Sequence, residues 1–240
     1  MFYYNAPSLS FQFILIVAAV IPALLLMYFV YRSDCLEKES RQLLKSLAFA
    51  GVFATLVAMV LERIGERLLV WVVDNETTYN LLLYFVVVAV SEEGAKYFLM
   101  KRRTWNNPEF NCQYDGVVYA LFVSLGFALW ENISYVLMYG FGTALIRAVT
   151  AIPGHACFGV FMGAFYGLAR RAYNYGDPSS SRIYRLLAVL VPTLLHGTYD
   201  YIATMDSENG ALIFFGFVGA MFIVSFFLVR RMARTDRYIR

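Results

Sequence analysis

The stretch LLLYFVVVAVSEEGAKYFLM, Leu81 to Met100, decides how the rest of the chain is read. Its two ends are apolar enough for a membrane helix, yet Ser91-Glu92-Glu93-Gly94-Ala95-Lys96 sets two carboxylates and an ammonium between them. A charge at the centre of a bilayer costs about 2.5–3.5 kcal/mol on insertion scales. Three such groups at one depth require partners, water or a function, and the other helices have to supply them.

Composition agrees that the setting is a membrane. Hydrophobic residues make up 60% of the 240 and charged residues 15%, with a mean hydropathy of +0.59. A soluble domain is nearer half apolar and a quarter charged, so the chain is an integral membrane protein. Cys35, Cys112 and Cys157 are scattered and form no CxxC pair, which implies neither a disulfide framework nor a thiolate zinc site. The first apolar run, Ser10 to Tyr31, is too long for a signal-peptide core and lacks a small-residue cleavage site.

A spanning helix needs about 20 apolar residues. That ruler predicts about seven, over 10–31, 42–61, 79–100, 115–139, 143–169, 183–204 and 210–230. The second runs on to about residue 73 as an amphipathic segment able to lie in the interface, because Glu62, Arg63, Glu66 and Arg67 alternate with Ile64, Leu68 and Leu69. The expected architecture is an all-α, polytopic membrane helix bundle. One integral membrane domain is expected over 1–240, with a core at about 79–205 and peripheral helices at 10–31, 42–73 and 210–230. Lys and Arg in short loops set orientation. The arm Met1 to Leu9 has none, whereas Arg32, Lys38 and Arg41, then Lys101-Arg102-Arg103, then Arg170, Arg171 and Arg182, and finally Arg230 to Arg240 occupy alternate connections. The N-terminus is therefore expected outside and the C-terminus in the cytoplasm. Arg-rich loops read here as topology signals and not as nucleic-acid sites. A seven-helix retinal protein is excluded because the last span carries no lysine.

Depth sharpens the reading. Glu92 and Glu93 come about 20 Å along the third span at 1.5 Å per residue. Glu131-Asn132 on the fourth, His155 on the fifth and His196 with Asp200 on the sixth fall in the same middle and outer half of the membrane. The chain has 2 histidines, and both are there. Either histidine alone reads as a helix-packing residue; six acidic and imidazole groups at matched depth read as a site. Residues four apart share a helix face, so Glu92 reaches Lys96, His196 reaches Asp200, and Glu93 is turned away from that pair to find something else. His155, Gly159, Gly163 and Gly167 form a small-residue stripe that lets a second helix approach; Gly94, Gly126 and Gly197 would allow similar approaches. Pro153 and Pro192 are candidates for kinks beside the histidines.

A glutamate in a low-dielectric pocket suits a general base acting on water, and a histidine can donate to a developing oxyanion. The same groups can instead hold Zn²⁺, through His155, His196, Glu131 and Glu93. HExxH, a GxSG serine elbow and a membrane Gly-Asp pair are missing from the sequence.

Glu92-Glu93-Gly-Ala-Lys96 resembles the EExxK signature of the PrsW family of intramembrane proteases. Phe127-Ala-Leu-Trp-Glu131-Asn132 resembles its FxxxEN, His155-Ala-Cys-Phe158-Gly159 its histidine block, and His196-Gly-Thr-Tyr-Asp200 its HGxYD-like end. The four occur in the family's order over roughly residues 85–205. The distantly related CAAX prenyl proteases carry EExxxR, FxxxH and HxxxN, and the departures at Glu131 and Asp200 favour the PrsW branch. The resemblance implies an endopeptidase of the bacterial cytoplasmic membrane, cutting single-pass or membrane-tethered proteins such as anti-sigma factors. It makes Glu92, Glu93, Glu131, His155, His196 and Asp200 the catalytic set, with Lys96 and Asn132 in support, and leaves glutamate-type and metal-dependent catalysis both open. A CAAX-like or peptide-processing protease is the neighbouring reading. A proton- or cation-coupled transporter or a receptor is the reading from another class, although the chain shows no internal repeat.

Overall fold

The computed structural model describes residues 9–34 and 36–239. The expectations placed on the N-terminal arm and on Cys35 lie outside them. Among the described residues ten helical elements follow one another: α1 (Leu9–Ser33), α2 (Arg41–Val72), α3 (Glu76–Leu82), a π-helical segment (Leu83–Val88), α4 (Ala89–Thr104), α5 (Asp115–Tyr139), α6 (Phe141–Val149), α7 (Ala151–Asn174), α8 (Pro178–Ala203) and α9 (Gly210–Arg234). Among the described residues there is no strand, and a single isolated bridge joins Cys112 to Tyr238.

Local chemistry sets the helix starts. Ser40 accepts the Leu43 N–H at the head of α2, Asn75 accepts the Thr78 N–H at the head of α3, and Asp177 accepts the Ser180 N–H at the head of α8. Pro178 follows Asp177 at the first helical position, where its missing N–H costs nothing. Gly140, at φ +83°, ends α5 in a conformation that L side chains rarely adopt, and α6 departs from it.

Among the described residues five stretches are long and apolar enough to cross a membrane: Arg41–Val72, Asp115–Tyr139, Leu145–Asn174, Pro178–Ala203 and Gly210–Arg234. Val20–Ser33 is a shorter apolar helix. The predicted span 79–100 is helical throughout, as α3, the π segment and α4, but it is divided among three short elements and is not one of those five stretches. The predicted span 143–169 is broken at Thr150, between α6 and α7. Pro153 falls in the first turn of α7, where no intrahelical bond is lost, and α8 runs on through Pro192. The amphipathic extension of α2 belongs to the same continuous helix as its apolar part.

Helix α5 is the axis of the bundle. It packs against α1, α2, α4, α6 and α7 and is buried without interruption from Asp115 to Ala128. In its most apolar window 78% of residues are buried, against 22% in α9, which marks α9 as an outer helix. Two glycine crossings let the backbones touch. A Cβ on Gly163 of α7 would lie 2.4 Å from Gly116 O and Val117 Cα of α5, and one on Gly126 of α5 would lie 2.1 Å from Ala48 O of α2. Large apolar side chains cover the outside, with Phe49 73%, Trp71 88% and Leu212 74% exposed. A surface of that kind is stable in hydrocarbon and not in water.

The arginine-bearing connections meet at one end. Ser40 donates its N–H and hydroxyl to Glu109 (2.8 and 3.0 Å), and Asn111 donates its side-chain amide to Glu37 (3.2 Å). The tail closes on the same loop: Tyr114 N–H donates to Asp236 Oδ1 (2.9 Å), Gln113 N–H to Arg237 O (3.1 Å) and Ile239 N–H to Asn111 O (2.8 Å). Ile239 is fully buried. Burial pushes the carboxyl of Asp34 up to about 6, with Asp236 adding to the shift and Lys38 opposing it. Burial and the neighbouring Asp115 push Glu39 up to about 9, against the opposing hydrogen bond from the Tyr119 hydroxyl (2.8 Å).

Candidate active site

Four helices bring the predicted residues together. Glu92, Glu93 and Lys96 come from α4, Glu131 from α5, His155 from α7, and His196 and Asp200 from α8. The small-residue stripe of α7 acts as expected, with Gly159 against Ser124 and Ala120 O of α5, Gly163 against α5 backbone, and Gly167 against Gln113 just before α5. Gly197 lies under the Phe85 ring of the π segment, whereas Gly94 faces open space and mediates no helix approach. The π segment was not legible in the sequence; it precedes the two glutamates by one turn and turns Tyr84 and Val88 onto the same face as Glu92.

Lys96 is the hub. Its Nζ donates to Glu92 Oε2 at 3.0 Å and to Glu93 Oε1 at 2.8 Å. Both carboxylates are therefore its partners, and the expectation that Glu93 turns away fails because a flexible side chain at i+3 also reaches. Lys96 Nζ also lies 3.1 Å from His155 Nδ1. An ammonium has only donors, so Nδ1 accepts and the ring proton sits on Nε2, which donates to Glu131 Oε2 at 2.8 Å. The Phe127 ring lies 3.8 Å from the same ammonium and adds a cation–π contact. Glu93 and Lys96 have no exposed surface. Three ionisable groups can sit that deep because each charge has a hydrogen-bonded counter-charge.

His196 is held from both sides. Nδ1 donates to Glu93 Oε1 at 3.0 Å, and Nε2 faces Asp200 Oδ2 at 3.4 Å, one turn along α8. The Phe158 ring stacks on it at 4.7 Å, and the two imidazoles stand edge to face at 5.4 Å. Arg147 is the partner that the sequence reading did not assign to Glu131: its Nη2 lies 2.9 Å from Glu131 Oε2 and its guanidinium stacks on Tyr135 at 3.8 Å. The signal for it was a basic residue inside a predicted span, and the break at Thr150 that orients α6 was not readable. Asn132 is buried outside the cavity lining.

A cavity of about 520 Å³ opens above this cluster. Glu92, Glu131, His155, His196, Asp200 and Arg147 line it together with Thr55, Met59, Glu62 and Glu66 of α2; Glu93 lies beneath them. Among the described residues one group of side chains could hold a metal ion: Glu92, Glu93, His155 and His196 offer ligand atoms that all lie within 4.8 Å of one another. This differs from the predicted set, since Glu131 stands on the far side of the His155 ring and Glu92 takes its place. The donors suit a divalent cation, and Glu93 Oε2 is buried without a hydrogen-bond partner, as an oxygen waiting for a cation or a water would be. The Lys96 ammonium already sits on this cluster, which is built for positive charge.

A polytopic helix bundle with carboxylates, imidazoles and a polar cavity at one buried depth defines an acid–base enzyme working inside the membrane. Comparison places it more closely, and the chain belongs to the PrsW family: residues 38–229 match the family described as PrsW family intramembrane metalloprotease. It is 31% identical to the protease PrsW of Bacillus subtilis (strain 168) over 197 residues, covering 82% of this chain and 86% of that one. It is 32% identical to the Oceanobacillus iheyensis protease PrsW over 216 residues, with 89% and 94% covered. To the Geobacillus kaustophilus protease PrsW it is 33% identical over 199 residues, with 83% and 84% covered. No solved structure matches. The protein is an intramembrane protease.

Proposed function

We propose that the protein hydrolyses a peptide bond of a membrane-anchored protein, of the single-pass anti-sigma-factor type, with Glu92 as the base on water. The observation that carries this is the position of Glu92: it lines the cavity while its neighbour Glu93 is sealed beneath. A water at the cavity floor gives its proton to Glu92 as its oxygen attacks the scissile carbonyl carbon. Lys96 holds Glu92 and Glu93 in place. His196, charged between Glu93 and Asp200, turns its Nε2–H from the long 3.4 Å contact with Asp200 to the oxyanion, while Glu131 takes the Nε2–H of His155 and fixes that ring beside it. Glu92 then returns the proton to the departing amine. Glu92, Glu93, His155 and His196 are the residues that would hold Zn²⁺, which when bound polarises a carbonyl and acidifies water. The chain works as one membrane domain in the bacterial cytoplasmic membrane, with its arginine-rich end in the cytoplasm, a reading supported by the meeting of those connections at one end of the bundle.

The test is cleavage of a panel of single-pass membrane reporters by purified protein, comparing wild type with Glu92→Gln, Glu93→Gln and His196→Ala and measuring metal content on the same samples. Wild type is expected to cut, and the folded variants to lose at least about 100-fold in rate. About one equivalent of zinc in wild type, lost in the variants, selects the metal scheme. A folded Glu92→Gln that cuts at the wild-type rate removes Glu92 as the base.

A further inference from the structure

The cavity lining holds more carboxyl groups than cations to pair with them. Glu92 has Lys96 at 3.0 Å, Glu131 has Arg147 at 2.9 Å, and Asp200 has His196 at 3.4 Å. Two carboxylates of the lining remain, Glu62 and Glu66 of α2. Among the described residues no lysine, arginine or histidine forms an ion pair with either. Arg63 and Arg67 are their chain neighbours but do not line the cavity. Glu62 and Glu66 are one turn apart on one face, where like charges repel, and they continue the row Thr55, Met59 that forms the α2 wall. Counted from Arg41 at about 1.5 Å per residue, they stand about 32 and 38 Å along α2. That is the far boundary of a hydrocarbon core about 30 Å thick. Glu62 is half-buried and Glu66 exposed, and the rings of Tyr84 and Tyr139 line the same cavity. A cleft with one uncancelled sign and low-dielectric walls attracts the opposite charge, and aromatic faces favour a cation over an anion.

We infer that Glu62 and Glu66 are specificity-determining residues that select a substrate carrying Lys or Arg beside the scissile bond, on the flank that leaves the membrane away from the arginine-rich end. The inference rests on the protease reading above and adds the charge of the substrate to it. An acidic residue at the same place meets two carboxyl groups that have no cation beside them and is rejected. The cation that completes the site is the substrate's own.

The experiment takes a reporter that wild type cuts and places Lys, Ala or Glu in turn at each position flanking the cut. At one or more positions on one side, wild type should prefer Lys over Glu by about tenfold in kcat/KM. Glu62→Gln/Glu66→Gln should bring that ratio close to one, and Glu62→Lys/Glu66→Lys should reverse it. Each ratio is taken within a single protein, so a loss of folded enzyme cancels. Cutting by wild type with no charge preference overturns the inference and leaves proteolysis standing, without any variant being needed. An unchanged ratio in the Gln variant also overturns it. Folded wild type that cuts no reporter at all overturns the protease reading itself.

Discussion

Lys96 concentrates the electrostatics of the site in one ammonium, which holds Glu92 and Glu93, meets the lone pair of His155 and rests on Phe127. Removing one member of a buried ion network leaves the others desolvated and uncompensated, at a cost of about 3–5 kcal/mol. Lys96→Met is therefore expected to abolish cleavage and to lower the thermal unfolding temperature in detergent. A variant of wild-type stability would mean that water reaches the two carboxylates. The members of this network were legible in the sequence, because charges inside an apolar run are conspicuous. Their pairing was not. Helical spacing favoured Glu92 for Lys96 and released Glu93, while the actual contacts depend on a side chain with four rotatable bonds and on rings arriving from three other helices.

At the scale of elements, the site is held by backbone contact. The α5–α7 crossing has no room for a methyl group at Gly163, where the obstacle is backbone at 2.4 Å and cannot move aside. Gly163→Ala must push the two helices apart, and overpacking of this kind costs about 1–3 kcal/mol. Gly94 is the contrast, since a Cβ there meets nothing within 4 Å and a helical glycine exchanged for alanine gains about 0.5–1 kcal/mol. The two substitutions should move the unfolding temperature in opposite directions, Gly163→Ala downward and Gly94→Ala upward. Equal effects would argue against the crossing. Spacing alone gave both glycines the same reading, as places for close approach. A stripe of residues four apart on α7 can be seen in the chain; which neighbour presses on an isolated glycine depends on the packing of the assembled bundle.

Across the whole molecule, the arginine-rich end is a second buried polar region, distant from the chemistry. Asp34 and Glu39 bind their protons more tightly in the folded protein than in the unfolded chain, with values of about 6 and about 9 against ordinary values of 3.8 and 4.5. For a raised carboxyl the unfolded state ionises first, so stability falls as pH rises from about 4 through each folded value. The unfolding temperature should therefore drop by several degrees between pH 5 and pH 9.5, and Asp34→Asn with Glu39→Gln should flatten that slope. A slope unchanged in the double variant would mean that these carboxyls are hydrated. The sequence by itself determined the membrane setting, the helical class, and the four motifs that carry the site, because apolar length, charge inside it and residue order are properties of the chain. Tertiary structure alone decided that Arg147 answers Glu131, that Glu92 and not Glu131 joins the metal-capable group, that α2 contributes Glu62 and Glu66 to the cavity wall, and that the tail seals the loop before α5. The first three depend on the rotation of one helix against another or on a break in one, at the π segment or Thr150, and helical periodicity cannot fix a phase that packing sets; the fourth depends on hydrogen bonds between segments far apart in the chain, which only the assembled bundle brings together.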